Sequence, residues 1–110
     1  MRLIRSVIRP SRFDEVRAAL LAANVMAFTV SEVHDYAPQN RHSQVWRARE
    51  YSTDDVVRFE VVLTVDDDDA DAVVALIMRA ARTQGAADGH VAVMPVDHRY
   101  TVHSGFREIS

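Results

Sequence analysis

The chain of 110 residues contains no cysteine and only three glycines. The absence of cysteine excludes disulfide bonds, thiol catalysis and cysteine-ligated metal sites. With so few glycines, neither a G-x-G-x-x-G dinucleotide fingerprint nor a phosphate-binding P-loop is present. No apolar run approaches the roughly 20 residues that a membrane-spanning helix requires. Arginines interrupt the segment from Met1 to Arg9, so we expect neither a signal peptide nor insertion into a membrane.

An excess of positive charge is also missing, because the formal net charge is −3 at pH 7. Nucleic-acid binding requires a clustered basic surface, so we expect no nucleic-acid partner. Hydrophobic residues make up 48% and charged residues 26% of the chain, which is typical of a globular protein. We therefore predict a single cytoplasmic domain over residues 1–110, whose small core would gain stability from oligomerisation.

Residues 2–9 and 27–36 have the composition and near-alternation of β-strands, and a helical pattern lies between them. Pro10 ends the first strand, and Ser11 fits the N-cap of the helix, where a side-chain oxygen accepts a backbone hydrogen bond. Asn24 is the expected C-cap. The residues at helical spacing that form the inward face are Phe13, Val16, Leu20 and Ala23.

Residues 56–65 predict a strong strand, followed by a second helix. Asp66–Asp69 crowd the start of this helix, where the helix dipole favours negative charge. One face of the strand is formed by Phe59, Val61 and Leu63. The core face of the helix is predicted to comprise Val73, Val74, Ile77, Met78 and Ala81.

A glycine-containing turn over residues 83–90 leads to a predicted strand over 91–96, and residues 100–104 predict one more. The order is β-α-β, a long connection, then β-α-β. This is the split βαβ plan of ferredoxin-like folds. We therefore predict an α+β, βαββαβ sandwich, in which two helices cover one face of a four-stranded antiparallel sheet.

Residues 37–56 show no helical or strand period, although they contain aromatic and charged side chains. Long segments without secondary structure are uncommon in small domains and tend to be functional. We interpret the segment as a docking loop, because aromatic and arginine side chains dominate interface energetics. The alternative is that it folds back and buries its aromatic residues. The candidate docking residues are Trp46, Arg47, Glu50 and Tyr51.

Five stretches resemble, in order and spacing, the segments of one known family. "LIRSVIRPSRFDEVRAAL" and "TVSEV" are similar to its first strand and helix and to its second strand. "QNRHS" stands where it has Gln-(Lys/Arg)-Gly-His-Thr, and "WRAREY" resembles the Tyr-Arg-Gly-Ala-Glu-Tyr of its T-loop. "AARTQGAADGH" resembles the Ala-Ala-Arg-Thr-Gly-Lys-Ile-Gly-Asp-Gly-Lys of its nucleotide-binding B-loop. The chain thus resembles the nitrogen-regulatory PII signalling family.

The resemblance implies a homotrimer that binds ATP or ADP in clefts between subunits, in many members together with 2-oxoglutarate, and that has no prosthetic group. Members are regulators rather than enzymes. The T-loop, here about residues 37–56, changes shape with the bound ligand and docks onto a target enzyme, transporter or regulator. The B-loop corresponds to about residues 83–90, and Tyr51 stands where some members are uridylylated. The nucleotide-binding residues carried over are Thr29, Gln39, Arg82, Thr83, Asp88, Gly89, His90 and His103.

The chain departs from the family mainly at phosphate-binding positions. Gln84 and Ala87 replace two B-loop glycines, and His90 stands where the family has a lysine. Thr101 and His103 replace two arginines near the C-terminus. Charge-assisted hydrogen bonds are worth about 1.5–3 kcal/mol each, so the lost cations weaken triphosphate binding most. We therefore expect ADP or AMP to bind in preference to ATP, with regulation of nitrogen utilisation as the family default.

Other interpretations remain open. The lysine that contacts 2-oxoglutarate in the family has no secure equivalent, because Arg58, the nearest cation, falls within a predicted strand. His90 and His103 would form a site for a small anion such as bicarbonate, or they are exposed histidines without a function and the chain is a nucleotide-independent interaction module. No histidine pair has the spacing of a metal motif, and no group of residues indicates catalysis.

Overall fold

The computed structural model describes residues 1–36, 42–46, 49–53, 55–85 and 87–108. Short 3-10 helices precede each α-helix, at Pro10–Arg12 and Asp67–Asp69. Neither α-helix in these residues is long and apolar enough to cross a membrane. In chain order, the elements are β1 (Arg2–Ile8), α1 (Phe13–Ala22), β2 (Thr29–Tyr36), β3 (His42–Trp46), β4 (Arg49–Thr53), β5 (Asp55–Val65), α2 (Ala70–Ala81) and β6 (Gly89–Pro95).

Four strands form one antiparallel sheet in the order β2-β5-β1-β6. The central strand β1 pairs with β5 from Arg2 opposite Val65 to Ile8 opposite Phe59, and its other edge pairs with β6. The two α-helices pack against each other and supply the buried residues that cover one face of this sheet. The predicted α+β, ferredoxin-like βαββαβ sandwich is therefore confirmed.

The segment predicted to lack secondary structure contains a two-stranded antiparallel ladder, so that prediction was wrong in part. Strands β3 and β4 pair from His42 opposite Thr53 to Trp46 opposite Arg49. Strand β5 begins one residue earlier than expected, at Asp55. An isolated two-stranded ladder is held by backbone hydrogen bonds and does not have to bury one face, so no alternation of apolar residues is needed to form it.

The last predicted strand, over residues 100–104, is also wrong. Only an isolated bridge joins Tyr100 to Arg107, and the chain between them forms a turn. The Gly105 N–H donates to the Thr101 carbonyl at 2.8 Å, which closes this turn. Local backbone bonds therefore replace the ladder that the β-branched residues suggested.

The core lies between the sheet and the helices, and the predicted faces supply most of it. Phe13 contacts Phe59 edge-to-face, with ring centroids 5.6 Å apart. Two residues predicted for the core, Ala23 and Met78, are exposed. Met78 keeps 43% of its surface accessible because the buried stripe of α2 is formed by residues spaced by four, Val73, Ile77 and Ala81, and Met78 lies outside it. The buried cluster comprises Ile4, Ile8, Val16, Leu20, Val61, Leu63, Val73, Ile77 and Ala81.

The sequence prediction was wrong for the start of α1 and wrong by one residue for its end. Ser11 is not the N-cap, because Pro10 starts a 3-10 turn and Arg12 precedes α1 without a side-chain cap. The C-cap is Ala23 rather than the predicted Asn24, which follows it with a φ of 61° in the left-handed region. The Val25 N–H donates to the Leu20 carbonyl at 2.9 Å, which is the long hydrogen bond of a Schellman motif.

Gly89 is required for the contact between β6 and β1. A Cβ at this position would lie 1.8 Å from the Val7 carbonyl oxygen, and the φ of Gly89 is 112°. We expect Gly89→Ala to lower the free energy of unfolding by about 3 kcal/mol, through overpacking and backbone strain together. Gly105→Ala is the matched control, since Gly105 has a φ of 72° but open space around it.

Strain alone should make the Gly105→Ala change cost about 1 kcal/mol. Urea unfolding of both variants at equal protein concentration measures the difference. Equal losses of stability in the two variants would contradict the close approach of β6 to Val7.

Candidate functional site

The turn between α2 and β6 is organised by the carboxylate of Asp88. The Thr83 backbone N–H donates to Oδ2 of Asp88 at 2.8 Å, and the Thr83 hydroxyl donates to Oδ1. The Gly85 N–H donates in turn to Thr83 Oγ1 at 3.0 Å. These hydrogen bonds close the turn. The two that Thr83 donates to Asp88 lower the pKa of Asp88 below its usual value, with a smaller contribution from Arg9.

Arg9 extends from the end of β1 into the same turn. Its Nε donates to Oδ1 of Asp88 at 3.1 Å, which ties residues 79 positions apart. A Cβ on Gly85 would lie 2.9 Å from Nη2 of Arg9, so the glycine leaves room for the guanidinium. The turn thus combines a cation, a carboxylate and a backbone with little steric cover, which suits the approach of a small anionic ligand.

Arg58, like Arg9, belongs to the site but was not among the predicted site residues. It lies in β5 and only 3% of it is exposed. Its Nη2 donates to the Ala87 carbonyl at 2.8 Å, and its Nε lies 3.9 Å from Oδ2 of Asp35. The pKa of Arg58 is lowered mainly by burial and, to a smaller extent, by the positive charge of Arg9. The negative charges of Asp35 and Asp88 act in the opposite direction and raise it. The sequence signal was an arginine within an apolar strand, where an unpaired charge would be very costly.

Among the residues predicted to bind nucleotide, five lie together around this turn. Arg82 is exposed at the C-terminal end of α2. Gly89 begins β6 opposite Ile8, and the exposed His90 follows it. Thr83 and Asp88 hold the turn itself. The described part of the predicted phosphate-binding segment, residues 83–85 and 87–90, therefore forms a hydrogen-bonded turn at one end of the sheet.

The structure of one subunit does not bring Thr29 or His103 to this turn. Thr29 is the first residue of β2, the edge strand opposite β6. From the spacing between strands and the rise per residue, Thr29 lies roughly 17 Å from Gly89. His103 is exposed in the turn between Tyr100 and Arg107, near the last residues of the described chain.

Thr29 lines a groove of about 850 Å³ between the α1–β2 connection, β5 and α2. Met26, Phe28 and Val62 contribute apolar walls, whereas Asp66 and Asp69 place carboxylates at one side. Arg99 also lines the groove but is paired with Glu108, so the two carboxylates disfavour phosphate and the groove suits an uncharged group better than an anion.

Gln39 and Arg47 lie outside the residues that the structure describes. Trp46 ends β3, and Glu50 and Tyr51 belong to β4, but only their backbones fall within the description. The docking of Trp46, Arg47, Glu50 and Tyr51 onto a partner therefore stays a prediction for the middle segment, residues 37–56. The nucleotide contact of Gln39 also stays a prediction.

Comparison with known proteins gives one consistent result. The family described as Nitrogen regulatory protein P-II matches residues 1–105. A Nitrogen regulatory protein P-II of Nostoc punctiforme is 34% identical over 105 residues, covering 96% of this chain and 94% of that protein. Its namesake in Synechocystis is 32% identical over 108 residues, covering 98% and 96%. Nitrogen regulatory protein P-II 1 of Escherichia coli is 31% identical over 105 residues, covering 96% and 94%.

The lowered pKa of Asp88 predicts a specific pH dependence. A carboxylate whose pKa falls on folding stabilises the protein fully above the unfolded value, near 3.8, and this stabilisation is lost as the pH falls through the folded value. We expect NMR titration of the Asp88 carboxyl carbon to give a midpoint below 3.8. Thr83→Val should raise that midpoint, because it removes one hydrogen bond to the charged form.

Thr101→Val is the matched control for this titration. The Thr101 hydroxyl donates to Glu108 at 3.2 Å, away from the turn. Its removal should leave the Asp88 midpoint unchanged. A midpoint for Asp88 at or above 3.8 in the unaltered protein would contradict the hydrogen bonds of the turn.

Proposed function

The chain belongs to the nitrogen regulatory protein P-II family, and we propose that it is a signal-transduction regulator of nitrogen utilisation. It binds an adenine nucleotide in the clefts of a cytoplasmic homotrimer. Occupancy changes the segment over residues 37–56, which docks onto a target enzyme, transporter or regulator. The protein controls its target by binding and performs no catalysis itself. Thr29, Gln39, Thr83, Asp88, Gly89 and His90 contact the nucleotide, with Arg82 and His103 in support.

The observation that carries this proposal is the hydrogen-bonded turn closed by Thr83 and Asp88. Gly85 is exposed, so a ligand can approach the backbone of the turn closely. The hydrogen-bonded turn therefore supports a phosphate-bearing ligand at the position where the family resemblance expects one.

The separation of the two halves of the site supports binding between subunits. The groove at Thr29 lies by one edge strand of the sheet, and the turn precedes the other edge strand. If the base occupies the groove and the phosphates occupy the turn, two subunits must contribute to each site. Val102 and Phe106 are 99% and 78% exposed, and apolar residues so exposed in one subunit favour burial against a neighbour.

The charges at the turn favour a nucleotide with few phosphates. Arg9 is paired with Asp88, and Arg58 faces Asp35 and donates to a backbone carbonyl. The charges of Arg9 and Arg58 are thus balanced by two carboxylates, and among the described residues of the turn the exposed Arg82 adds one permanent positive charge. His90 stands nearby as the replacement of a permanent cation. ADP or AMP is therefore the expected ligand, whereas ATP would bring charge that the turn does not neutralise.

Isothermal titration calorimetry of the full chain tests the proposal directly. AMP, ADP and ATP are titrated with Mg²⁺, each with and without 2-oxoglutarate or bicarbonate. ADP or AMP binding tighter than ATP binding supports the proposal. Binding of bicarbonate alone would favour an anion sensor, and absence of heat with every ligand would favour a nucleotide-independent interaction module. Light scattering on the same samples should give the mass of three chains.

Restoring a cation beside the turn should increase ATP affinity. We expect His90→Lys to tighten ATP binding about tenfold, since one charge-assisted hydrogen bond is worth at least about 1.5 kcal/mol. Ala75→Lys, on the exposed side of α2, is the control for added charge alone. It should change ATP affinity less than about twofold, because exposed charges are screened. Equal effects of the two lysines would contradict a phosphate position at His90.

A further inference from the structure

We propose that Arg12 is a positioning residue for the Thr83–Asp88 turn, because it holds the end of α2 from which this turn begins. The proposal rests on the proposed function only for the ligand that the turn would bind. The contacts of Arg12 lie within the chain itself, so its role can be tested without a ligand.

The guanidinium of Arg12 binds one carbonyl in the last turn of α2. Its Nε and Nη2 donate to the Ala80 carbonyl at 3.0 and 2.8 Å, across 68 positions of the sequence. A carbonyl oxygen has two lone pairs, so the two donors satisfy it fully. Nη1 of Arg12 lies 3.7 Å from a carboxylate oxygen of Glu15, in the first turn of α1. The side chain of Arg12 therefore ties the start of α1 to the end of α2.

The end of α2 lacks the backbone motif that closes α1. The last carbonyls of a helix have no partner within the helix. The Arg82 N–H donates to the Met78 carbonyl at 3.0 Å, but Arg82 itself is extended. No residue over 82–85 has a positive φ, so no Schellman motif forms here. The Ala80 carbonyl therefore takes its partner from outside the helix, and Arg12 supplies it.

Polar contacts rather than apolar packing hold the turn in place. Ala81 is the last residue of α2 in the core, and none of the described residues that follow it, 82–85 and 87–88, is buried. A segment with few buried apolar contacts opens locally at a low cost in free energy. The position of the turn therefore depends on the hydrogen bonds and ion pairs at its two sides.

Arg9 and Arg12 hold these two sides from one short piece of backbone. Arg9 donates to Asp88 at the end of the turn, whereas Arg12 donates to Ala80 just before its start. The Arg12 N–H donates to the Arg9 carbonyl at 3.0 Å, and Pro10 fixes a φ angle between them. The 3-10 turn at Pro10 thus sets the spacing of the two arginines. Through them it sets the spacing of the two sides of the ligand-binding turn.

Amide exchange measured by NMR in the full chain, without added ligand, tests this role. Arg12→Met keeps an unbranched apolar stem but removes every donor. We expect it to accelerate exchange of the Thr83 and Gly85 amides about threefold to tenfold, as for the loss of one hydrogen bond. The titration midpoint of the Asp88 carboxyl should rise, because the hydrogen bonds from Thr83 that lower this pKa are weakened.

Two control variants separate positioning from loss of stability and loss of charge. Ile77→Val removes part of a buried core side chain and lowers the global stability without touching the turn. Arg17→Met removes an exposed arginine of α1. Both should leave the Asp88 midpoint and the exchange of the Thr83 amide unchanged, because the turn opens locally.

Arg12→Lys tests whether the hydrogen bonds to Ala80 are the cause. Lysine keeps the charge and can donate to the same carbonyl, but it lacks the fixed pair of N–H groups of arginine. Its effects on exchange and on the Asp88 midpoint should be smaller than those of Arg12→Met. Effects as large as those of Arg12→Met would contradict the role of these bonds. If Arg12→Met does not fold, Arg12→Lys is compared directly with the unaltered protein, and a change at Thr83 is still expected.

Unchanged exchange and an unchanged Asp88 midpoint in Arg12→Met would overturn the proposal, as would equal changes in Ile77→Val or Arg17→Met. Calorimetry with ADP and with adenosine forms a second arm. We expect Arg12→Met to weaken ADP binding about threefold to tenfold and to leave adenosine binding unchanged, since adenosine carries no phosphate. If ADP does not bind the unaltered protein, the proposed function fails, while exchange and titration still decide the role of Arg12.

Discussion

The carboxylate of Asp88 is the group on which the arrangement of this end of the molecule depends. It accepts hydrogen bonds from Thr83 and from Arg9, and so it joins the end of α2, the end of β1 and the start of β6. Without it, Arg9 and Arg58 would repel each other across a turn with no anion between them. The turn, the position of β6 and the burial of Arg58 therefore share one electrostatic requirement.

The larger elements could be predicted from sequence because burial imposes a period on it. Val61 and Leu63 alternate along β5, and Val73 and Ile77 recur along α2, since one face of each element meets the core. The β3–β4 ladder escaped prediction because its sequence carries no apolar alternation, whereas its strands pair through backbone hydrogen bonds. Ser11 was misassigned because its residue type fits a cap, while the 3-10 turn at Pro10 moves the start of α1 beyond it.

The site was predictable only where its residues are close in sequence. Thr83 and Asp88 are five positions apart, within one turn, and resemblance to a known loop identified both. Arg9 is 79 positions from Asp88, and Arg58 is 29 positions from Ala87. Such pairs follow from the register of β1, β5 and β6, which the local pattern does not determine.

Arg58 also shows why a cation near a phosphate site does not replace the cations that the family uses. A phosphate-binding lysine or arginine must be able to reach the ligand and must keep charge that no other group neutralises. Arg58 is buried, donates to a carbonyl and faces carboxylates, so its charge is already committed to the fold. The exposed His90 reaches solvent, but an imidazole is not a permanent cation as lysine and arginine are. The proposed preference against a triphosphate therefore rests on both sides of the turn: His90 is not a permanent cation, and the permanent charges of Arg9 and Arg58 are paired or buried.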